Sequence, residues 1–210
     1  MAGVIENAFI QLRAGYDAQR LRAILKDCQQ IQALWIREHQ PKLLEGKPYD
    51  YTTDCWISED ESPHLLLTAP WESVDGHKEW IQSHENAYSM DDLKPFIREV
   101  KDAVVLYHLI PAGENEFRGD VLAKGPVKVW RISVKPEEKE SLEKKYRLIE
   151  TNSSTEPGQR MWAGWRVEKE ESEELVIIAS PSFEDVIESG IVVRMEDAKA
   201  SRFELKPFLH

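Results

Sequence analysis

The sequence predicts an α+β protein in which one small β-α-β-β-α-β unit is used twice. Three observations point to it. A tryptophan, an apolar run and a proline recur in the same order in each half: Trp56, His64 to Thr68 and Pro70, then Trp165, Leu175 to Ala179 and Pro181. The tryptophans lie about 109 residues apart and the prolines about 111, which marks a duplicated domain and not a short solenoid repeat. Strand-like and helix-like periodicities also follow one another in the same order on both sides of a stretch rich in glycine and proline, Pro111 to Pro126.

In the first unit, Phe9 to Gly15 alternates as a strand, with Ile10, Leu12 and Ala14 on one face. Asp17 can cap the helix that follows. There Leu21, Ile24, Leu25, Cys28, Ile31 and Trp35 form one apolar stripe, and Pro41 limits its far end. Tyr51 to Ser58 and His64 to Ala69 read as strands joined by a short polar connector. Ser73 can cap a second helix, and Ser89 with Asp92 has the spacing of a capping box for a further piece. Ala103 to Ile110 is the last strand of the unit, rich in β-branched and aromatic residues.

The second unit repeats the order. Val127 to Val134 alternates as a strand, and Pro136 opens a charged helix reaching Glu150 with Leu142, Tyr146 and Ile149 on one face. Met161 to Val167 and Leu175 to Ala179 form a second hairpin. Ser182 and Asp185 have capping-box spacing, Gly190 is a candidate helix stop, and Arg202 to Phe208 is the last strand. Ile191 to Met195 fits strand, helix or loop.

A β-α-β-β-α-β unit is the split, ferredoxin-like motif, with helices on one face of an antiparallel sheet. The other face needs cover, and a second copy in the chain supplies it. The expected organisation is a first repeat over residues 1–112, a linker over 113–126 and a second repeat over 127–210, packed sheet to sheet as an internal α/β-barrel pseudo-dimer. Such a chain is expected as a monomer with this internal pseudo-dimer, or as a homodimer of it.

Composition narrows the partners. The 210 residues are 41% hydrophobic and 31% charged, with a net charge of -11 and a pI near 5.1. That field repels phosphate backbones and anionic lipid, so neither nucleic acid nor a membrane surface is expected as a partner. No run approaches the roughly 18 apolar residues of a membrane span. Cys28 and Cys55 have no metal or disulfide spacing, which fits a cytoplasmic protein with free thiols.

Candidate chemistry concentrates in the first unit, where five of the six histidines lie. On a continuous second helix, His77, Ile81, His84 and Tyr88 would share one stripe, flanked by Trp80. Two imidazoles and a phenol facing a pocket could relay protons. His108 on the last strand is a further candidate catalytic residue. Trp80, Trp71 and Trp56 are candidate substrate-binding surfaces for a flat ligand. A metal is not expected: His77 and His84 would stand about 10.5 Å apart along the helix axis, too far for ligand bonds of about 2 Å to one ion. Glycines form neither a GxGxxG nor a phosphate loop, so no nucleotide cofactor is expected.

The segment Trp71 to Ser83, with Trp71, His77 and Trp80, together with the repeated tryptophan, strand, proline and helix pattern, resembles the dimeric α/β-barrel superfamily. The likeness is to its antibiotic-biosynthesis-monooxygenase-like members, and the tandem arrangement is similar to the two-repeat fungal type. The resemblance implies a pocket between the helices and sheet of a repeat. It also implies a cofactor-independent oxygenase-, isomerase- or cyclase-like enzyme of secondary metabolism, acting on a hydrophobic, aromatic or polyketide-like substrate. Many oxygenases of the family carry a histidine about where this chain has Trp80. That difference keeps open a non-catalytic small-molecule-binding or interaction protein on the same fold. A haem-linked role is a third reading, which needs an axial histidine over a roomy pocket.

Overall fold

The structure, a computed structural model, describes residues 3–45, 52–153, 160–169, 171–192 and 199–209. The chain divides into two compact units, Met1–His108 with Phe208–His210, and Leu109–Pro207. The fold class is the expected one: α+β, with antiparallel strands and helices in each unit.

The first unit contains β1 (Val4–Gln11), α1 (Ala18–His39), β2 (Asp54–Ile57), β3 (His64–Trp71), α2 (Val74–Ile81), α3 (His84–Leu93) and the start of β4 (Val104–Pro111). β1 begins earlier than its alternation indicates, and Leu12 to Gly15 lie beyond it. The turn into α1 is closed by Gly15, whose φ of 70° is left-handed and costs a glycine little. Asp17 caps α1 as expected, accepting from the backbone N–H groups of Gln19 and Arg20. β1 pairs with β3 from Val4↔Trp71 to Gln11↔His64, and β2 with β3 from Asp54↔Thr68 to Ile57↔Leu65.

This register fixes two faces. Glu6, Ala8, Ile10, Cys55, Leu67, Val104 and Leu106 share the face that meets the helices, where Ile10, Leu12, Leu21, Leu25, Cys55, Ile57, Leu65 and Leu93 form a buried core. Trp56 neighbours Cys55 and therefore belongs to the opposite face.

The second helical region differs from its expected form. It breaks at Gln82–Ser83, and Ser83, not Ser89, caps α3 by accepting from the Asn86 N–H. The Ser89–Asp92 box does not form because Ser89 lies inside α3.

The second unit contains the end of β4, α4 (Gly119–Leu122), β5 (Val127–Val134), α5 (Lys139–Ser153), β6 (Met161–Arg166), β7 (Glu173–Ala179), α6 (Glu184–Ile187) and β8 (Lys199–Pro207). The expected linker thus holds one helical turn, α4. The Ser182–Asp185 box is absent: Pro181–Phe183 is a 3-10 turn with no side-chain cap. Gly190 does not stop the helix either, because Glu188–Val192 continues it as a π turn. Residues 193–195, part of the ambiguous segment, lie outside the described residues. The space between helices and sheet is filled by Trp130, Ile132, Leu142, Tyr146, Trp165 and Ile177 with their neighbours. Trp165 faces α5, where its indole N–H donates to Glu143 at 2.9 Å. Trp56 and Trp165 are therefore not equivalent, despite their matched spacing: the shift of one residue on a strand reverses the face.

Leu65 is fully buried. Leu65→Ala should destabilise the protein by about 2–5 kcal/mol, read as a lower urea midpoint. Ser83→Ala, which removes the α3 cap, should cost about 1 kcal/mol and lower helical circular dichroism only slightly.

Candidate functional site

The site grows from a carboxylate in the middle of an apolar strand. Glu6 sits in β1 between Ile5 and Asn7, 8% exposed, on the helix-facing side. Its Oε2 accepts from the indole N–H of Trp71 at 2.9 Å, and the Nε2 of His77 lies 3.3 Å from the same oxygen. The other ring nitrogen of His77, Nδ1, is hydrogen-bonded to Nε2 of His108 at 2.8 Å. Glu6, His77 and His108 thus form a line through the imidazole of His77.

Local structure places each member. Ser73 caps α2 through its bond from the Gly76 N–H, which fixes the first turn and aims His77 at β1 and β4. Trp71, at the end of β3, stacks on His77 with ring centroids 4.6 Å apart and planes 13° apart. Trp35 of α1 packs edge-on against Trp71 and Trp80. The His77 ring is therefore clamped by stacking and by both of its nitrogens.

Burial sets the protonation states. Loss of water pushes the Glu6 carboxyl up to about 7, against the lowering effect of the Trp71 N–H. Burial, with a smaller contribution from neighbouring His108, pushes His77 down to about 3. At neutral pH His77 is uncharged, so its contact with Glu6 is not an ion pair. Burial likewise pushes the thiols of Cys28 and Cys55 up, so both remain thiols.

Glu6 and His77 form part of the wall of a cavity of about 240 Å³ between the sheet and helices of the first unit. Most of the wall is apolar, including Leu25, Leu67, Trp80, Met90 and Leu93, while Gln29, Gln32, Thr53, Asn86 and Ser89 bring polar atoms. Ile81, Val104 and Leu106 are partly exposed wall residues and give an apolar approach to it.

Of the residues singled out in the sequence, the structure brings together His77, His108, Trp71 and Trp80. The continuous stripe of His77, His84 and Tyr88 does not form, because the break at Ser83 turns α3 away. His84 is exposed, and Tyr88 is 60% exposed. Trp80 lines the cavity, Trp71 supports His77 from beside it, and Trp56 is fully buried away from it on the other sheet face. Glu6 was missed because the alternation was read from Phe9 onward. The signal was present: an acid inside the apolar run Val4 to Ile10 must be paired or neutral.

The line of Glu6, His77 and His108 does not converge on one point, and no cluster of three potential metal-ligating side chains occurs among the described residues. Haem does not suit these residues either. Both nitrogens of His77 are engaged, and the cavity is smaller than a substituted tetrapyrrole.

Several solved structures share this fold. A protein described as a monooxygenase from Fusobacterium nucleatum subsp. nucleatum matches with a TM-score of 0.60 and 10% identity, over 98% of this chain and 92% of that one. One described in the same way from Lactobacillus acidophilus matches at 0.53 and 10%, over 98% and 96%. An anthrone oxidase-like protein matches at 0.51 and 9%, over 96% and 90%. At such identities the likeness establishes the fold. No protein-family model matches the chain, and no curated protein does. No helix among the described residues is long and apolar enough to cross a membrane.

The two shifts have opposite effects on stability. Between 4.5 and about 7 the folded protein retains a Glu6 proton that the unfolded chain has released, so this contribution is lost as pH rises through that window. Between 6.5 and about 3 the unfolded chain takes a His77 proton that the folded protein refuses, so stability falls as pH drops through that window. Glu6→Gln removes only the first effect. Its stability relative to the native protein should therefore rise between about pH 5 and pH 8, measured by denaturant midpoints across that range. A difference that stays flat would show that Glu6 does not titrate as its burial requires.

Proposed function

We propose that the chain is a small-molecule enzyme that removes a proton from a hydrophobic, aromatic or polyketide-like substrate held in the cavity of the first unit. The observation that carries this is Glu6: a buried carboxyl on the wall of an apolar cavity, held near pH 7 and backed by an oriented imidazole pair. A general base works best when its pKa lies near the working pH, and a raised glutamate meets that condition.

The steps follow from the geometry. As a carboxylate, Glu6 accepts from Trp71. With the His77 proton on Nδ1, His77 donates to Nε2 of His108 and its own Nε2 is open to accept. Once Glu6 has taken a proton from substrate it donates to Nε2 while the Nδ1 proton passes to His108. One proton enters the His77 ring and one leaves it, so His77 stays neutral by a change of tautomer and the added proton ends on His108. Glu6 is the base. His77 is both a wall residue and the conduit, and His108 is the acceptor behind it. Trp80 offers the flat apolar surface against which a ring can lie.

Loss of a proton beside a carbonyl or phenol is the step common to cofactor-independent oxygenase, isomerase and cyclase chemistry, and the site supports that step. The fold shared with monooxygenases and an anthrone oxidase-like protein supports the oxygenase member of the three. A fungal tandem-repeat type, a place in secondary metabolism and a cytoplasmic setting with free thiols complete our reading.

Turnover on a panel of flat, enolisable aromatic ketones tests it. Glu6→Gln should lower kcat by about 10²-fold or more. The native kcat/KM should rise with pH around a midpoint of about 7. Trp80→Ala should raise KM and leave kcat nearly unchanged. If Glu6→Gln turns over normally, the base is elsewhere; if substrates bind without turnover, the chain is a binding protein.

A further inference from the structure

Among the polar side chains of the cavity wall outside the proton path, Ser89 is the one whose hydroxyl has no partner in the protein. Ser89 lies inside α3, is 6% exposed, and forms part of the wall. A serine within a helix ordinarily turns its hydroxyl back to the carbonyl four residues earlier. The Ser89 Oγ does not: it is buried and has no hydrogen-bond partner in the protein. Its backbone carbonyl is already taken by the Cys28 thiol at 3.9 Å.

The other polar wall residues are occupied. Gln29 donates to the Thr53 carbonyl at 2.6 Å, and Gln32 accepts from the Thr53 hydroxyl. Asn86 donates to the Ile81 carbonyl at 3.0 Å, and Glu6 and His77 serve the proton line. A buried hydroxyl left without a partner is costly to the fold, and Ser89, a wall residue whose hydroxyl is held by no competing bond, can turn it about χ1 to a ligand atom in the cavity.

The wall also defines what that atom is. A serine hydroxyl both donates and accepts, which suits a hydroxyl or carbonyl oxygen. No lysine or arginine lines the cavity. An anion entering it would lose its water and meet only Glu6, a group of like charge. We propose that Ser89 is the anchoring residue of this cavity, its hydroxyl bonding the hydroxyl or carbonyl oxygen of an uncharged, flat ligand whose ring body lies on Trp80. This deepens the functional reading above and rests on the same cavity. It adds the selection: an oxygen-bearing aromatic is preferred over the bare hydrocarbon, and a carboxylate is rejected.

Equilibrium dialysis of the full chain with naphthalene, 1-naphthol and 1-naphthoate tests it. The native protein should bind 1-naphthol about five- to tenfold more tightly than naphthalene, the size of one net hydrogen bond, and 1-naphthoate no better than naphthalene. Ser89→Ala, which suits a helix and keeps the fold, should abolish the naphthol preference and leave naphthalene affinity within about twofold. Glu6→Gln should retain the preference while losing turnover. Equal binding of naphthol and naphthalene, or a preference that survives Ser89→Ala, overturns the role of Ser89 and leaves the cavity reading standing. If neither aromatic binds, the functional reading falls with it.

Discussion

Burying the Glu6 carboxyl is the constraint around which the first unit is organised. A carboxylate inside an apolar strand loses its hydration, and the fold can respond by neutralising it or by surrounding it with donors. The protein does some of each. Trp71 supplies one indole N–H, and His77 lies close enough to supply a second donor. Neither carries a charge, so neither pulls the carboxyl back to an ordinary value. A lysine or arginine at either position would have made Glu6 a permanent anion and a poor base at neutral pH. The aromatic cluster of Trp35, Trp71 and Trp80 does more than fill the core. It keeps the surroundings dry and holds the His77 ring in plane, so orientation and pKa are set by the same packing.

The break between α2 and α3 bears on the site just as directly. An unbroken helix would have presented His77, His84 and Tyr88 along one line. Ser83 ends that line by capping a new helix. His84 and Tyr88 go to solvent, and the apolar side of α3, with Met90 and Leu93, closes over the cavity. The break trades a polar stripe for an apolar wall with a single unpaired hydroxyl.

The sequence revealed the element order well and the site in part. Element order was legible because hydrophobic periodicity is a local signal: β5 was bounded correctly at both ends, and Asp17 and Ser73 cap as read. His77 and Trp80 stood out because they lie on one short segment with a clear helical period. Glu6 did not, since β1 is buried along both faces and such strands do not alternate. The meeting of β1, α2 and β4 at one point is a tertiary fact with no local trace. The Trp56 and Trp165 landmarks also misled. Spacing matched to within a residue or two locates a strand, but only a register fixed to the residue says which face a side chain occupies.

The same register puts different side chains at matching positions of the two units. Glu6 lies opposite Ala69 on the helix-facing side, and in the second unit the residue opposite Ala179 is Lys128. Both side chains are buried, but Glu6 meets only uncharged donors, whereas Lys128 pairs with Glu184 and Glu204. An acid in dry surroundings has a tuned pKa. A lysine bridging two acids is held in its charged form. Behind Lys128, Tyr146, Leu142 and Trp165 fill the volume that remains open in the first unit. The closely packed core of the second unit stabilises its fold, whereas the first unit bears the cost of an unfilled cavity and an unpaired hydroxyl.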